Sequence, residues 1–103
     1  MNDIMPIVSR YVRKVSQSGI TVYQAILFGS WARGSARQDS DIDVCIVSPA
    51  LGKDWVAEIV NLRRLAFDVD ARIEPIPLAQ EDIHDRFNPL VQEINKYGVK
   101  VKI

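Results

Sequence analysis

Residues 20–47 read ITVYQAILFGSWARGSARQDSDIDVCIV. The opening run, Ile20 to Phe28, is rich in β-branched and aromatic residues, with only Thr21 and Gln24 polar. It predicts a strand buried on both faces. The strand ends at Gly29-Ser30, where a tight turn exposes backbone N–H groups beside a serine hydroxyl, a combination suited to cradling an anion. Trp31 to Ser40 is short and polar and contains Gly34, so it reads as one helical turn followed by a loop. Asp41 to Val47 resumes strand character. Residues two apart on a strand share a face, so Asp41 and Asp43 project together while Ile42 turns to the core.

Two carboxylates side by side repel, and each favours its protonated form unless a cation is near. Mg²⁺ relieves this, because it takes a few carboxylate oxygens together with phosphate oxygens of a substrate. Two such ions about 4 Å apart stabilise the attacking and leaving oxygens of an in-line displacement. The protein's share of such chemistry is positioning and charge stabilisation. Alone, a Gly-Ser turn is commonly just a turn and a D-x-D pair a solvated strand end. Their combination, each in the context it needs, carries the reading.

Upstream, Asn2 to Ser18 has helical spacing of Ile4, Val8, Tyr11, Val12 and Val15, with Pro6 in the first turn and Gly19 as a stop. Downstream, Asp54 is an N-cap for a helix from Trp55 to about Ala66, with Val56, Ile59, Val60 and Leu62 toward one side. Phe67 to Pro75 alternates, Val69, Ala71 and Ile73 against Asp68, Asp70, Arg72 and Glu74, and predicts a third strand ended by a break at Ile76-Pro77. Gln80 to Phe87 reads as a short helix. Asn88-Pro89 opens a further helix through Tyr97, closed by Gly98. Val99 to Ile103 alternates like a short edge strand. The expected fold is α/β (α+β), a mixed β-sheet with helices packed mainly on one face, in a single domain over residues 1–103.

Composition narrows the function. Its 103 residues, 48% hydrophobic and 25% charged, suit one globular domain and exclude a disordered chain. No apolar run reaches the ~20 residues of a membrane helix. Thirteen basic residues balance thirteen acidic ones, which argues against a role resting on non-specific nucleic-acid contacts. The lone cysteine, Cys45, rules out an internal disulfide and points to a reducing compartment. The N-terminus lacks the basic-then-apolar order of a signal peptide. A cytoplasmic protein is expected.

Gly29-Ser30, a gap of ten residues, then Asp41-Ile42-Asp43, with Ala32-Arg33-Gly34 and Ser40 between, resembles the signature of the DNA polymerase β-like nucleotidyltransferase superfamily, in particular its minimal stand-alone branch. The resemblance runs from the first helix to about Asp82. It implies the nucleotidyltransferase fold and transfer of a nucleoside monophosphate, AMP from ATP, onto an acceptor. It also implies that Gly29 and Ser30 bind the triphosphate, with Arg33 as a phosphate contact and Arg37 a poorer one. Asp41, Asp43 and a third acidic residue on a neighbouring strand would hold Mg²⁺, two ions in the family. Asp70 best matches that third position, with Asp68 and Glu74 as alternatives. Many minimal members are encoded beside a HEPN-domain toxin, and some are antitoxins that transfer AMP to a toxin tyrosine. The resemblance thus implies a HEPN partner protein, in a homo- or hetero-oligomer.

His84, the single histidine, reads as an ordinary helix residue and Cys45 as a buried apolar one. Trp31 stands where the family more often has a polar or basic residue. Two other functions compete: a catalytically silent, nucleotide-binding subunit that neutralises a toxin by covering it, and a small-molecule nucleotidyltransferase of the antibiotic-modifying kind. The latter lacks its usual extra substrate-binding domain. The intact pair Asp41 and Asp43 favours catalysis, since covering a partner does not require it.

Overall fold

A computed structural model describes residues 4–103. Strands β1 (Gln24–Phe28) and β2 (Ile42–Val47) pair antiparallel, Gln24 opposite Val47 and Phe28 opposite Asp43. β3 (Ile73–Leu78) runs parallel to β2, and the two-residue β4 (Val99–Lys100) lies antiparallel to β1, giving the order β3-β2-β1-β4. This is the expected mixed sheet.

Partner availability sets the strand boundaries. β1 begins at Gln24 rather than Ile20, because β2 ends opposite it. The Tyr23 N–H still donates to the Val47 carbonyl at 2.8 Å, while Ile20 and Val22 pack on the core without a ladder. The strand expected over Phe67–Pro75 is shifted. Helix α3 (Trp55–Phe67) takes its first residue, and the N–H groups of Val69 and Asp70 both donate to the Ala66 carbonyl, winding the chain on past the helix end. Pairing starts at Ile73, where Ile42 becomes available.

Pro75, expected as the strand's last residue, and Pro77, expected in the break after it, both lie inside β3. The Ile42 N–H donates to the Arg72 carbonyl and the Ser48 N–H to that of Leu78, so residues 72, 74, 76 and 78 turn their main chain toward β2. Residues 73, 75 and 77 face away from the sheet, where proline's missing N–H breaks no ladder bond.

Ala25, Leu27, Ile42, Val44 and Ile46 face one side of the sheet, covered by α1 (Met5–Gln17) and α3. Ile26, Phe28, Cys45 and Val47 face the other, under a 3₁₀ turn (Gln80–His84) and α4 (Pro89–Tyr97) through Ile83, Val91 and Ile94. The two 13-residue helices share the first face, so most helical mass lies there. Residues 2 and 3 of the helix expected from Asn2 lie outside the described residues. Its buried stripe, Val8, Tyr11, Val12 and Val15, is as the spacing required, and the Tyr11 hydroxyl donates to the Leu62 carbonyl of α3 at 3.0 Å. Asp54 and Asn88 cap α3 and α4 by accepting the N–H groups of Ala57 and Leu90.

The inward face of α3 differs from expectation. Leu62 and Ala66 are buried with Ile59 half-buried between them and solvent, whereas Val56 and Val60 are 68% and 62% exposed. With Phe67 they form an outward apolar stripe at helical spacing. Among the described residues no helix is long and apolar enough to cross a membrane.

Candidate active site

β1 delivers the chain, extended at Phe28, to Gly29 at φ +72°. A Cβ at Gly29 would lie 2.1 Å from Asp43 Oδ2, so glycine is required both by conformation and by close approach. The approach follows from the register, since Phe28 is paired with Asp43. Gly29 opens α2 (Gly29–Arg33), which Gly34 closes at φ +82°. Ser30 is half-buried in its first turn and Arg33 exposed in its last.

Asp43 is half-buried on the face shared with Cys45. Desolvation, reinforced by Asp41, then Glu74 and Glu93, pushes its pKa up from 3.8 to about 6, with Arg33 acting in the opposite sense. Asp41 is exposed immediately before β2. Glu74 is the β3 partner of Asp43 in the register and forms an ion pair with Arg63 of α3.

Asp70 does not approach from a neighbouring strand. It lies on the turn before β3, where the Arg72 guanidinium donates to both of its oxygens, at 3.0 and 2.9 Å, and holds its carboxyl below the usual range. Asp68 is exposed and paired with Lys14 at 2.8 Å. Of the three acidic residues weighed for the third position, only Glu74 adjoins Asp43. Among the described residues no three His, Cys, Asp or Glu side chains stand ready as a metal cage. The donor chemistry nevertheless fits Mg²⁺: hard carboxylate oxygens, with Asp43 biased toward its neutral form by desolvation and then by acidic neighbours whose charge a divalent cation would offset.

Glu93 of α4 is absent from the sequence reading. Its Oε2 accepts the Gly29 N–H at 3.1 Å and Arg33 Nη1 at 2.7 Å. No local pattern marks it, because both partners lie 60 or more residues away. The residues set aside behave as expected: Cys45 is fully buried, its thiol pushed up to about 12 by desolvation, and His84 is exposed at the end of the 3₁₀ turn.

The fold thus presses a glycine-serine turn against a D-x-D carboxylate on the adjoining strand. Residues 8–102 match the family described as nucleotidyltransferase domain, and the chain belongs to that family. It is 35% identical over 82 residues to "Putative protein adenylyltransferase MJ0141" of Methanocaldococcus jannaschii, covering 76% of this chain and 77% of that one. Two solved structures are similar in fold. The structure described as "a putative nucleotidyltransferase from Sulfolobus solfataricus" aligns with TM-score 0.69 and 19% identity over 94% of this chain and 78% of its own. A toxin–antitoxin structure with AMP-PNP aligns with TM-score 0.67 and 21% identity over 91% and 72%.

Proposed function

We propose that this nucleotidyltransferase moves AMP from ATP onto a tyrosine hydroxyl of a HEPN-type toxin in the cytoplasm, and so acts as an antitoxin. The observation that carries the catalytic part is the contact between turn and carboxylate, with Gly29 packed against Asp43 Oδ2. A triphosphate taking the Ser30 hydroxyl together with the Gly29 N–H and Arg33, both of which it would draw from Glu93, would lie against Asp41 and Asp43. Asp41 and Asp43, with Glu74 in the third position in place of Asp70, would hold Mg²⁺, which would supply charge neutralisation to the triphosphate and the leaving oxygen. The acceptor oxygen bonds to the α-phosphorus, the bond from that phosphorus to its bridging oxygen breaks, pyrophosphate leaves with the electron pair, and the hydroxyl proton passes to solvent.

A protein acceptor is supported by the name of the M. jannaschii relative, by the toxin–antitoxin neighbour in fold and by the exposed stripe Val56, Val60 and Phe67. The test is incubation with ATP labelled at the α-phosphate, Mg²⁺ and a candidate HEPN-domain partner, followed by mass spectrometry of that partner. One adenylyl group on a tyrosine, lost with Asp43→Asn, is the expected result. Neutralisation of the partner without modification would leave the silent-subunit reading standing instead.

A further inference from the structure

Trp31 and Asp70 are not accounted for by nucleotide binding or chemistry, and both meet at Arg72. The Arg72 guanidinium grips Asp70 through Nε and Nη2, donates from Nη1 to the Gln38 carbonyl at 2.5 Å, and lies with Cζ 5.9 Å from the Trp31 ring centroid. The indole Nε1 of Trp31 in turn donates to the Ser40 carbonyl at 3.1 Å. The Arg72 main chain accepts the Ile42 N–H at 2.8 Å. Three groups on the segment that leads into Asp41 and Asp43 are therefore held, at residues 38, 40 and 42. The holding groups come from Trp31 of α2, which carries the Gly29-Ser30 turn, and from Arg72, immediately before β3.

We infer that Arg72 is a positioning residue that clamps the loop delivering Asp41 and Asp43, with Asp70 orienting its guanidinium and Trp31 serving as the platform beneath it. The arrangement suits arginine and no other cation, because one planar fork serves a bidentate carboxylate, a carbonyl and a ring face at once. The side chain of Asp70 is 18% exposed against 77% for Asp68, so its oxygens are committed to Arg72 rather than shared with solvent. Asp70 thus acts on the carboxylate pair through Arg72.

This inference rests on Asp41 and Asp43 as the Mg²⁺ carboxylates, and its test separates the two claims. Trp55→Phe leaves Trp31 as the sole tryptophan. In that background Arg72→Ala, Arg72→Lys, Asp70→Asn and the double variant Asp70→Asn/Arg72→Ala are compared. Measurements are Trp31 emission, amide exchange at Ser40 and Ile42 without metal, and Mg²⁺ half-saturation against KM for ATP. Arg72→Ala and Asp70→Asn should each shift Trp31 emission, speed exchange at Ser40 and Ile42 but not in α1, and raise the Mg²⁺ half-saturation about tenfold with little change in KM for ATP. Arg72→Lys, which keeps the charge without the fork, should recover only part of the loss. The double variant should be no worse than either single one, since the two residues act as one unit. Asp70→Asn that abolishes Mg²⁺ dependence while Arg72→Ala leaves it intact would overturn the clamp and make Asp70 a ligand. Unchanged amide exchange in Arg72→Ala would overturn it too, whether or not the wild type is active. A wild type with no Mg²⁺-dependent transfer refutes the proposed function, and exchange still decides the clamp.

Discussion

Gly29 carries two constraints that a single substitution tests. Its φ of +72° disfavours any side chain by about 1 kcal/mol, and a Cβ would collide with Asp43 Oδ2. Gly29→Val is therefore expected to abolish ATP binding, read by calorimetry, while most of the domain stays folded. An unchanged affinity would show that the turn does not face the nucleotide. Asp43 gives a prediction with a definite sign. Its folded pKa of about 6 lies above the ordinary value of 3.8, so the folded state holds the proton more tightly. Its contribution favours the fold in acid and is lost as pH rises through the window from about 4 to about 6. In metal-free buffer at pH 7 this penalty, discounted for the group's partial exposure, is about 1–2 kcal/mol. Asn mimics the neutral carboxyl, so Asp43→Asn removes the penalty: the variant should melt at or above the wild-type temperature at pH 7 and close to it near pH 4, with transfer activity gone. Full activity in Asp43→Asn would end the catalytic reading.

Helices differ in what they do for the site. α1 and α3 hold each other through Tyr11, fully buried, whose hydroxyl reaches Leu62. Tyr11→Phe should cost about 1 kcal/mol and Tyr11→Ala about 3–5 kcal/mol by denaturant unfolding, with KM for ATP unmoved in the former. α4 reaches the Gly29-Ser30 turn directly. Glu93→Gln keeps an acceptor for the Gly29 N–H but removes a negative charge beside the proposed triphosphate site and frees Arg33. The partly exposed ion pair contributes little to stability, about 0–1 kcal/mol, so the change should appear as a severalfold lower KM for ATP at nearly constant melting temperature. A raised KM would mean that Glu93 aligns Arg33 rather than competing with phosphate.

Across the whole molecule, what could be read from the sequence was local. The strand–turn–strand around Gly29, the caps at Asp54 and Asn88, and the stripe of α1 follow from neighbouring residues alone, and the structure has them. What could not be read depended on distant partners. β3 starts where β2 offers Ile42, so strict alternation over Phe67–Pro75 misplaced Asp68 and Asp70, and the outward turn of Val56 and Val60 depends on which face of α3 the sheet receives. Glu93 and Arg72 become part of the site only through folding. The same dependence shows at the outer margin of β3. There Pro75 and Pro77 present no N–H, and that of Ile73 is taken by the Asp70 carbonyl at 3.2 Å. Pro75→Thr/Pro77→Thr would restore two outward donors, and sedimentation should then detect concentration-dependent self-association absent from the wild type. With the prolines in place, this margin offers a guest peptide no main-chain donor from residues 73, 75 or 77, so zipping on as a fifth strand is disfavoured there. A binding partner approaching from that side must be chosen by side chains, and its identity can drift without disturbing the sheet that holds the carboxylates.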